Sequence, residues 1–529
     1  MSSPQAAIEI GSTGIRLIVA EMHEDVASQA YYVILDHSEL PVPLGRDVFT
    51  TGIISRDTML LCIKILRRFS EQIASWQLSP SQTMVLATSA VREAGNRDPF
   101  VDRIRVKTGF FVHVIDGIEE NRLMYIAVSS SLRKAQIDSS KEDSVILEIA
   151  GGATEMILMH KGQMSGAHSL RLGTVIIEQQ LRQIDGTLED VRKYIEEFVQ
   201  NMETSLNREI KLPNVEQFIA VGGDMKIAAM QCGKQISPVL WSITRDDFES
   251  FVEKVLHYPQ AIVADKFKLN YTDSQTFQIS LIAYRQFLSF TKATSVLVPT
   301  TSLREGLLLR DLALRAALRT ALRTNSGTAQ EGNSLQQEFN AQILASANAL
   351  LYKYQGDVKH AEWVRSSSLK IYDAMSEELG LTDHIRLLLE VSAILHDIGM
   401  FIQAKNHAQH SKYIIQNSEI FGLSLEDLDI VALIALHHNG KSVLLEDKEF
   451  KLLPRTSRMA ILKLCAILRV ADALDHSHRQ HIKDFSVSLT SDTLTLKVQG
   501  KTHFRREKQA LKEKGDLFES VFGYKIVIL

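Results

Sequence analysis

The sequence predicts an α/β fold built on an internal duplication, followed by a helical domain and a small α/β cap. Short β-like runs alternate with helical patterns over the first 310 residues. Within them the strand-to-glycine turn IEIGSTG (Ile8 to Gly14) returns as LEIAGGATEM (Leu147 to Met156), so two copies each open with a strand, an acid and a tight turn. From about Leu335 to Leu474 the apolar residues fall at helical spacing, as in LLLEVSAILHDIG, with almost no strand signal.

The strands expected in the duplicated half are VLAT (85–88), FVHVI (111–115), SVILEIA (144–150), EMILMHKG (155–162), QFIAVGG (217–223) and SVLVPT (295–300). After Arg310 the pattern turns helical with DLALRAALRTALR, and the polar stretch TNSGTAQEGNS from Thr324 to Ser334 reads as an exposed connector. The tail alternates again: DFSVSLTSDTLTLKVQG reads as a hairpin turning at SD, and GYKIVIL as a last strand. The domains expected are therefore residues 1–125, 126–310, 311–478 (helical) and 479–529 (cap).

A chain of 529 residues exceeds one ordinary core. Its 45% hydrophobic and 23% charged residues are ordinary for a soluble protein, and no apolar run approaches the roughly 18 residues that span a bilayer. MSSPQAAIEIG lacks the order of a signal peptide, so a cytoplasmic protein with no membrane partner is expected. Cys62, Cys232 and Cys465 lie far apart without CxxC spacing and read as structural thiols. A net charge of −4 gives no global attraction to nucleic acid, so a polyanionic substrate needs a local basic groove. The basic run RREKQALKEKG (505–515) contains two glutamates and reads as a solvated helix face, and Arg67–Arg68 and Arg103–Arg105–Lys107 call for the same reading.

Glycine lets the main chain approach a phosphate without a Cβ clash, and the acid that ends the strand can hold Mg²⁺, a hard cation that neutralises phosphate charge. Two such turns facing each other make a clamp: Gly11, Ser12 and Thr13 on one wall, Gly151, Gly152, Ala153 and Thr154 on the other, with Glu9 and Glu148 as the Mg²⁺ carboxylates. A glycine turn after a strand is common without any ligand; a matched pair with matched acids is less so.

The order IEIGSTG, ATSAVREAGN (87–96), VIDGIEENR (114–122), LEIAGGATEM, HSLRLGTV (168–175), AVGGD (220–224) and LREGLL (303–308) resembles the exopolyphosphatase/guanosine pentaphosphate phosphohydrolase family. The resemblance implies duplicated RNase H-like domains of the actin and sugar kinase type, and a homodimer. It implies that Glu120 activates the attacking water, that Arg92 grips phosphate, and that Gly222 and Gly223 form a third glycine turn. It implies inorganic polyphosphate or a guanosine polyphosphate as substrate and Mg²⁺ as cofactor. The chain departs from the family's usual aspartates at Glu9 and Glu148, its asparagine at Thr13, its serine or threonine at Gly14, its glycine at Ala150, its serine at Ala153 and its threonine at Asp224. Asp224 sets a negative charge beside a turn expected to face phosphate.

In the helical half, His360, the adjacent pair His396–Asp397, and Asp472 stand in the H…HD…D order of the HD phosphohydrolase superfamily. Imidazole and carboxylate suit Mn²⁺, Fe²⁺ or Zn²⁺, and buried Asp397 and Asp472 need cationic partners. His410, His437 and His438 are extra imidazoles, His437 being the one favoured as a further ligand. The expected function is Mg²⁺-dependent hydrolysis of a terminal phosphoanhydride of polyphosphate or pppGpp. Two alternatives stay open: an HD-metal phosphohydrolase with a regulatory N-terminal half, and a non-catalytic sensor of (p)ppGpp or polyphosphate.

Overall fold

The computed structural model describes residues 4–24, 30–183, 186–206, 210–311, 334–439, 444–490, 492–500 and 504–529. The connector read at Thr324–Ser334 falls, except for Ser334, outside the described residues, as does most of DLALRAALRTALR. The chain divides into two compact units, Met1–Phe339 and Asn340–Leu529. No described helix is long and apolar enough to cross a membrane.

The first unit holds two sheets of one plan. In the first, β1 (Pro4–Ile10), β2 (Gly14–Glu24), β3 (Ala30–Pro41), β4 (Met84–Ala87) and β5 (Val112–Val114) lie in the order β3-β2-β1-β4-β5. The hairpins β1–β2 and β2–β3 are antiparallel, while β4 and β5 add in parallel on the other side. The second sheet contains β6 (Ser144–Ile149), β7 (Thr154–His160), β8 (Gln163–Leu170), β9 (Gln217–Val221), β10 (Lys234–Ser237), β11 (Leu240–Thr244) and β12 (Ser295–Pro299). Its part β8-β7-β6-β9-β12 repeats the first sheet's order and strand directions, and β11 and β10 extend it. This repeated order is the duplicated RNase H-like architecture of the actin-like fold.

All six strands read from the sequence in this half form within a residue or two of their expected limits. The first sheet buries Ile8, Ile10, Leu17, Phe69 and Phe100, and the second Leu147, Phe218, Phe248 and Phe277. Such buried side chains contribute on the order of 1.5–3 kcal/mol each, before the cost of ordering them.

The second unit is helical at its centre, with helices Val358–Ala374, Asp383–Leu395, His407–Gln416, Leu425–His437 and Arg455–Ala473. A three-stranded sheet follows, made of β13 (Ile482–Leu489), β14 (Thr493–Gly500) and β15 (Lys525–Ile528). The expected hairpin is β13–β14, and the last strand pairs with β14 in parallel. A parallel neighbour needs a crossover, which the helices Arg505–Lys514 and Asp516–Phe522 supply.

Candidate active site

The two glycine turns are built alike. Gly11 N donates to Gly14 O at 3.0 Å in the first, and Ala150 N to Ala153 O at 2.9 Å in the second. They meet directly, since a Cβ on Gly151 would stand 2.9 Å from Ser12 Cβ, and both close on Ser89, whose Oγ lies 3.3 Å from Ser12 Oγ and 2.4 Å from where a Gly152 Cβ would be. Among the described residues, the backbone N–H groups of Ser12, Thr13, Gly151, Gly152 and Ala153 donate to no protein acceptor. Unspent amides of this kind make an anion site. Gly11 and Thr154 are different. The Gly11 N–H is spent inside its turn, and the fully buried Thr154 hydroxyl donates to Leu172 O at 2.5 Å, so both hold the walls in shape and offer those groups to no phosphate.

Glu120 lies in the first turn of the helix Gly117–Lys134, which Asp116 caps by accepting from Glu119 N at 2.8 Å. The residue is 4% exposed, and Arg92 Nη1 donates to its carboxylate at 2.5 Å and to Ile115 O at 2.6 Å. Burial raises the Glu120 carboxyl to about 7 against the pull of Arg92, with Glu9 and Asp116 adding to the rise. Arg92 keeps Nε and Nη2 unspent among the described residues. The neighbouring Glu119 is committed elsewhere, to Arg310 at 2.5 Å and Arg122 at 3.4 Å.

The two strand-end acids differ in company. Glu9 has Arg16 at 3.4 Å and Arg304 at 3.5 Å. Among the described residues Glu148 has no ion-pair partner, and burial together with the charges of Glu9 and Glu120 pushes it up to about 7. Lys226 stands close enough to be felt by Glu148, and burial lowers its own pKa. The three carboxylates feel one another's charge, but among the described residues they do not form a group of three whose ligand atoms lie within 4.8 Å, so a hard divalent cation here would rest on one or two of them. At the third turn Gly222 adopts φ +119°, which the lack of a side chain permits. Burial pushes the adjoining Asp224 carboxyl to about 7, which softens the charge expected beside the turn.

Several groups at this cleft escaped the sequence reading. Arg16 reaches Glu9 across the β1–β2 pair, and Arg304 reaches it from the helix that follows β12. Glu155, opposite Glu148 in register, accepts from Asn121 Nδ2 at 2.8 Å and Ser169 Oγ at 2.6 Å. The buried Tyr284 hydroxyl accepts from Ile149 N at 2.9 Å and donates to Val221 O at 2.5 Å, tying the ends of β6 and β9 together. Beyond the second wall a cavity of 370 Å³ is lined by Phe49, Arg171, Gln179, Gln183 and Tyr194 among others.

In the second unit, His360, His396, Asp397 and Asp472 come together as their order in the sequence suggests. Their ligand atoms form overlapping groups within 4.8 Å: His360, His396 and Asp472; His360, Asp397 and His478; His396, Asp397 and His438. The expectation for His437 is corrected. Consecutive residues at a helix end point about 100° apart, so only one of the His437–His438 pair can face the cluster. His437 Nε2 turns to Asp447 at 3.5 Å, whereas His438 and His407 each bring Nε2 to 3.2 Å from Asp397 Oδ1. His410 joins none of the groups.

The tautomers follow from the outer contacts. Nδ1 of His396, His407 and His438 faces the carbonyls of Ala393, Ala404 and Ala435 at 2.9, 2.9 and 2.6 Å, and Nδ1 of His360 faces Asp475 at 2.9 Å. Each Nδ1 therefore carries the proton, and in the neutral rings each Nε2 offers a lone pair inward. His396 Nε2 stands 3.2 Å from His360 Nε2, and His407 Nε2 3.3 Å from His438 Nε2. Among the described residues Asp397 Oδ1 accepts no hydrogen bond. Nε2 atoms that face one another in this way must share either a proton or a cation, and this donor set with the outer contacts that orient it fits a transition metal. Without one, burial opposes charge on His360, yet Asp472, Asp475 and Asp397 outweigh it and raise the ring to about 9; burial lowers His396 to about 4.

The chain resembles known proteins over most of its length. Residues 24–315 match the Ppx/GppA phosphatase family, and residues 344–517 match domain III of the Ppx/GppA phosphatases. Guanosine-5'-triphosphate,3'-diphosphate pyrophosphatase of Vibrio vulnificus is 22% identical over 499 residues, covering 93% of this chain and 91% of that protein. The protein of that name from Photobacterium profundum is 23% identical over 495 residues, covering 93% and 90%. The crystal structure of an exopolyphosphatase from Cytophaga hutchinsonii shares the fold, with a TM-score of 0.51 at 19% identity over 59% of this chain and 98% of that one. With more than half of its length matched to the family, and with a duplicated sheet whose paired turns flank a buried glutamate, the chain belongs to the Ppx/GppA phosphatase family.

Proposed function

We propose that the chain hydrolyses the terminal phosphoanhydride of pppGpp, of inorganic polyphosphate or of both, in the cleft between its two glycine turns. The observation that carries this is the set of unspent N–H groups on both turns beside a buried carboxylate poised near neutral pH. The relatives of full length are pyrophosphatases of guanosine-5'-triphosphate,3'-diphosphate, which favours a nucleotide substrate.

In this reading the amides of Ser12, Thr13, Gly151, Gly152 and Ala153 bind phosphate oxygens. The turns touch one another, so a phosphate enters as the walls part. Glu120 takes the proton of the attacking water, and Arg92 holds that carboxylate in place while its free nitrogens face the phosphate. Glu148, with Glu9 beside it, would hold Mg²⁺, which supplies charge neutralisation on the phosphate oxygens. The test is phosphate release from pppGpp and polyphosphate with Mg²⁺. Glu120→Gln is expected to lose about 10²- to 10⁴-fold in kcat with little change in KM, the worth of a positioned base. An unchanged kcat would remove the cleft from the chemistry.

A second reading puts a metal-dependent phosphohydrolase at the histidine cluster, with the cleft as a regulatory site. The inward-facing imidazole nitrogens, grouped with Asp397 and Asp472, support it. Asp397→Ala would then abolish turnover while Glu120→Gln spared it.

A further inference from the structure

Lys514 Nζ donates to Asp472 Oδ2, and its side chain is only 11% exposed. Asp472 Oδ1 is the oxygen that faces His360 Nε2, at 3.5 Å. The carboxylate that the histidine cluster would offer a metal thus already neutralises a lysine. Among the described residues no other lysine or arginine pairs with His360, His396, Asp397 or Asp472. The lysine comes from the cap and not from the central helices: it ends the helix Arg505–Lys514. That helix is tied to the cluster a second time, because Ser477 Oγ donates to its buried Glu507 at 2.6 Å, and the next residue, His478, stacks on His360 at 3.7 Å.

We propose that the helical unit binds a divalent transition-metal ion in competition with its own Lys514, so that the Arg505–Lys514 helix limits metal occupancy and is loosened by it. The inference rests on the metal reading of the histidine cluster. Its physical basis is charge. A metal and an ammonium sharing one buried carboxylate stand about 4–5 Å apart and repel strongly where water does not screen them. Metal binding therefore displaces Lys514 or is weakened by it. Removing the lysine leaves Asp472 with His360 alone in the empty site and strengthens the hold on metal. The basic run that the sequence presents as a solvated face thus has one lysine turned inward, and the helix carrying it is a lever between metal and cap.

The test titrates the full-length chain, stripped with EDTA, with Mn²⁺, taking the Asp397→Ala chain as the measure of binding elsewhere in the molecule. Lys514→Gln is expected to bind Mn²⁺ about ten- to a hundredfold more tightly than wild type, the worth of one charge-assisted hydrogen bond. Lys514→Arg, which keeps the cation, stays near wild type, and far-UV circular dichroism confirms that each variant folds. Equal or weaker binding by Lys514→Gln overturns the competition and leaves the metal reading standing. No binding above the Asp397→Ala level in either wild type or Lys514→Gln overturns both. Amide exchange gives an independent readout in the wild-type chain: Mn²⁺ should speed exchange over residues 505–514, and protection there would overturn the displacement.

Discussion

β1 passes into β2, and β6 into β7, by the same backbone route, yet what stands opposite the acid differs. Arg16 is paired in register with Glu9, and Arg304 adds a second guanidinium. Glu155 is paired in register with Glu148, and neutral donors, Asn121 and Ser169, hold it. Like charges directly across a strand pair are destabilising on their own. Arginines thus surround the first acid, while the second faces another carboxylate and is pushed up to about 7. The two copies have diverged in what surrounds the acid, and under the proposed mechanism the first would anchor the cleft and the second recruit the cation to it.

This contrast is most directly broken at the acids themselves. Glu148→Gln is expected to raise the Mg²⁺ concentration for half-maximal phosphate release by about tenfold or more, as loss of a metal ligand or its close support does. Glu9→Gln should move it far less and instead lower Tm, costing about 1–3 kcal/mol by taking the carboxylate from Arg304 and leaving Arg16 with Glu39. If the two variants exchanged these effects, the roles of anchor and recruiter would be reversed.

A pH profile sharpens the contrast from the side of the base. The Glu120 carboxyl, raised to about 7, must lose its proton to accept one from water. Below pH 7 kcat/KM should therefore fall about tenfold per unit, and above it level off. A profile flat from pH 5.5 to 8 would mean that Glu120 titrates low and that burial does not govern it. The smallest effect concerns the scaffold. Tyr284→Phe leaves Ile149 N and Val221 O unpaired in a buried place, and should lower stability by about 1–3 kcal/mol, read as a fall in Tm. Unchanged Tm would show that the strand ends are held without the phenol.

The strands and the two acids were legible because each follows from local pattern: period-two alternation, then a carboxylate, then glycine. Glu120 needed its neighbours on both sides to stand out from an ordinary acidic first turn. Arg16 was not legible, because its role depends on the register of β1 against β2, which spacing alone does not set. The choice between His437 and His438 turned on the phase of a helix at its last residue. That phase is fixed by tertiary contacts such as the buried Arg469, whose Nε donates to His437 O at 2.7 Å. Lys514 was hidden for a different reason. A basic run reads as solvated until one of its members is found 42 residues from Asp472 in sequence and in contact with it.

Gly173 bears on how such a site can change over generations. A Cβ there would lie 2.3 Å from Gly151 O and 2.5 Å from Gly152 Cα, so the second turn is moulded from outside by backbone that tolerates no side chain. The shape of the wall is therefore stored away from the residues that line it. Substitutions such as Ala150 and Ala153 can accumulate in the turn while its amides keep their places, and divergence in the letters of the motif need not mean divergence in its form.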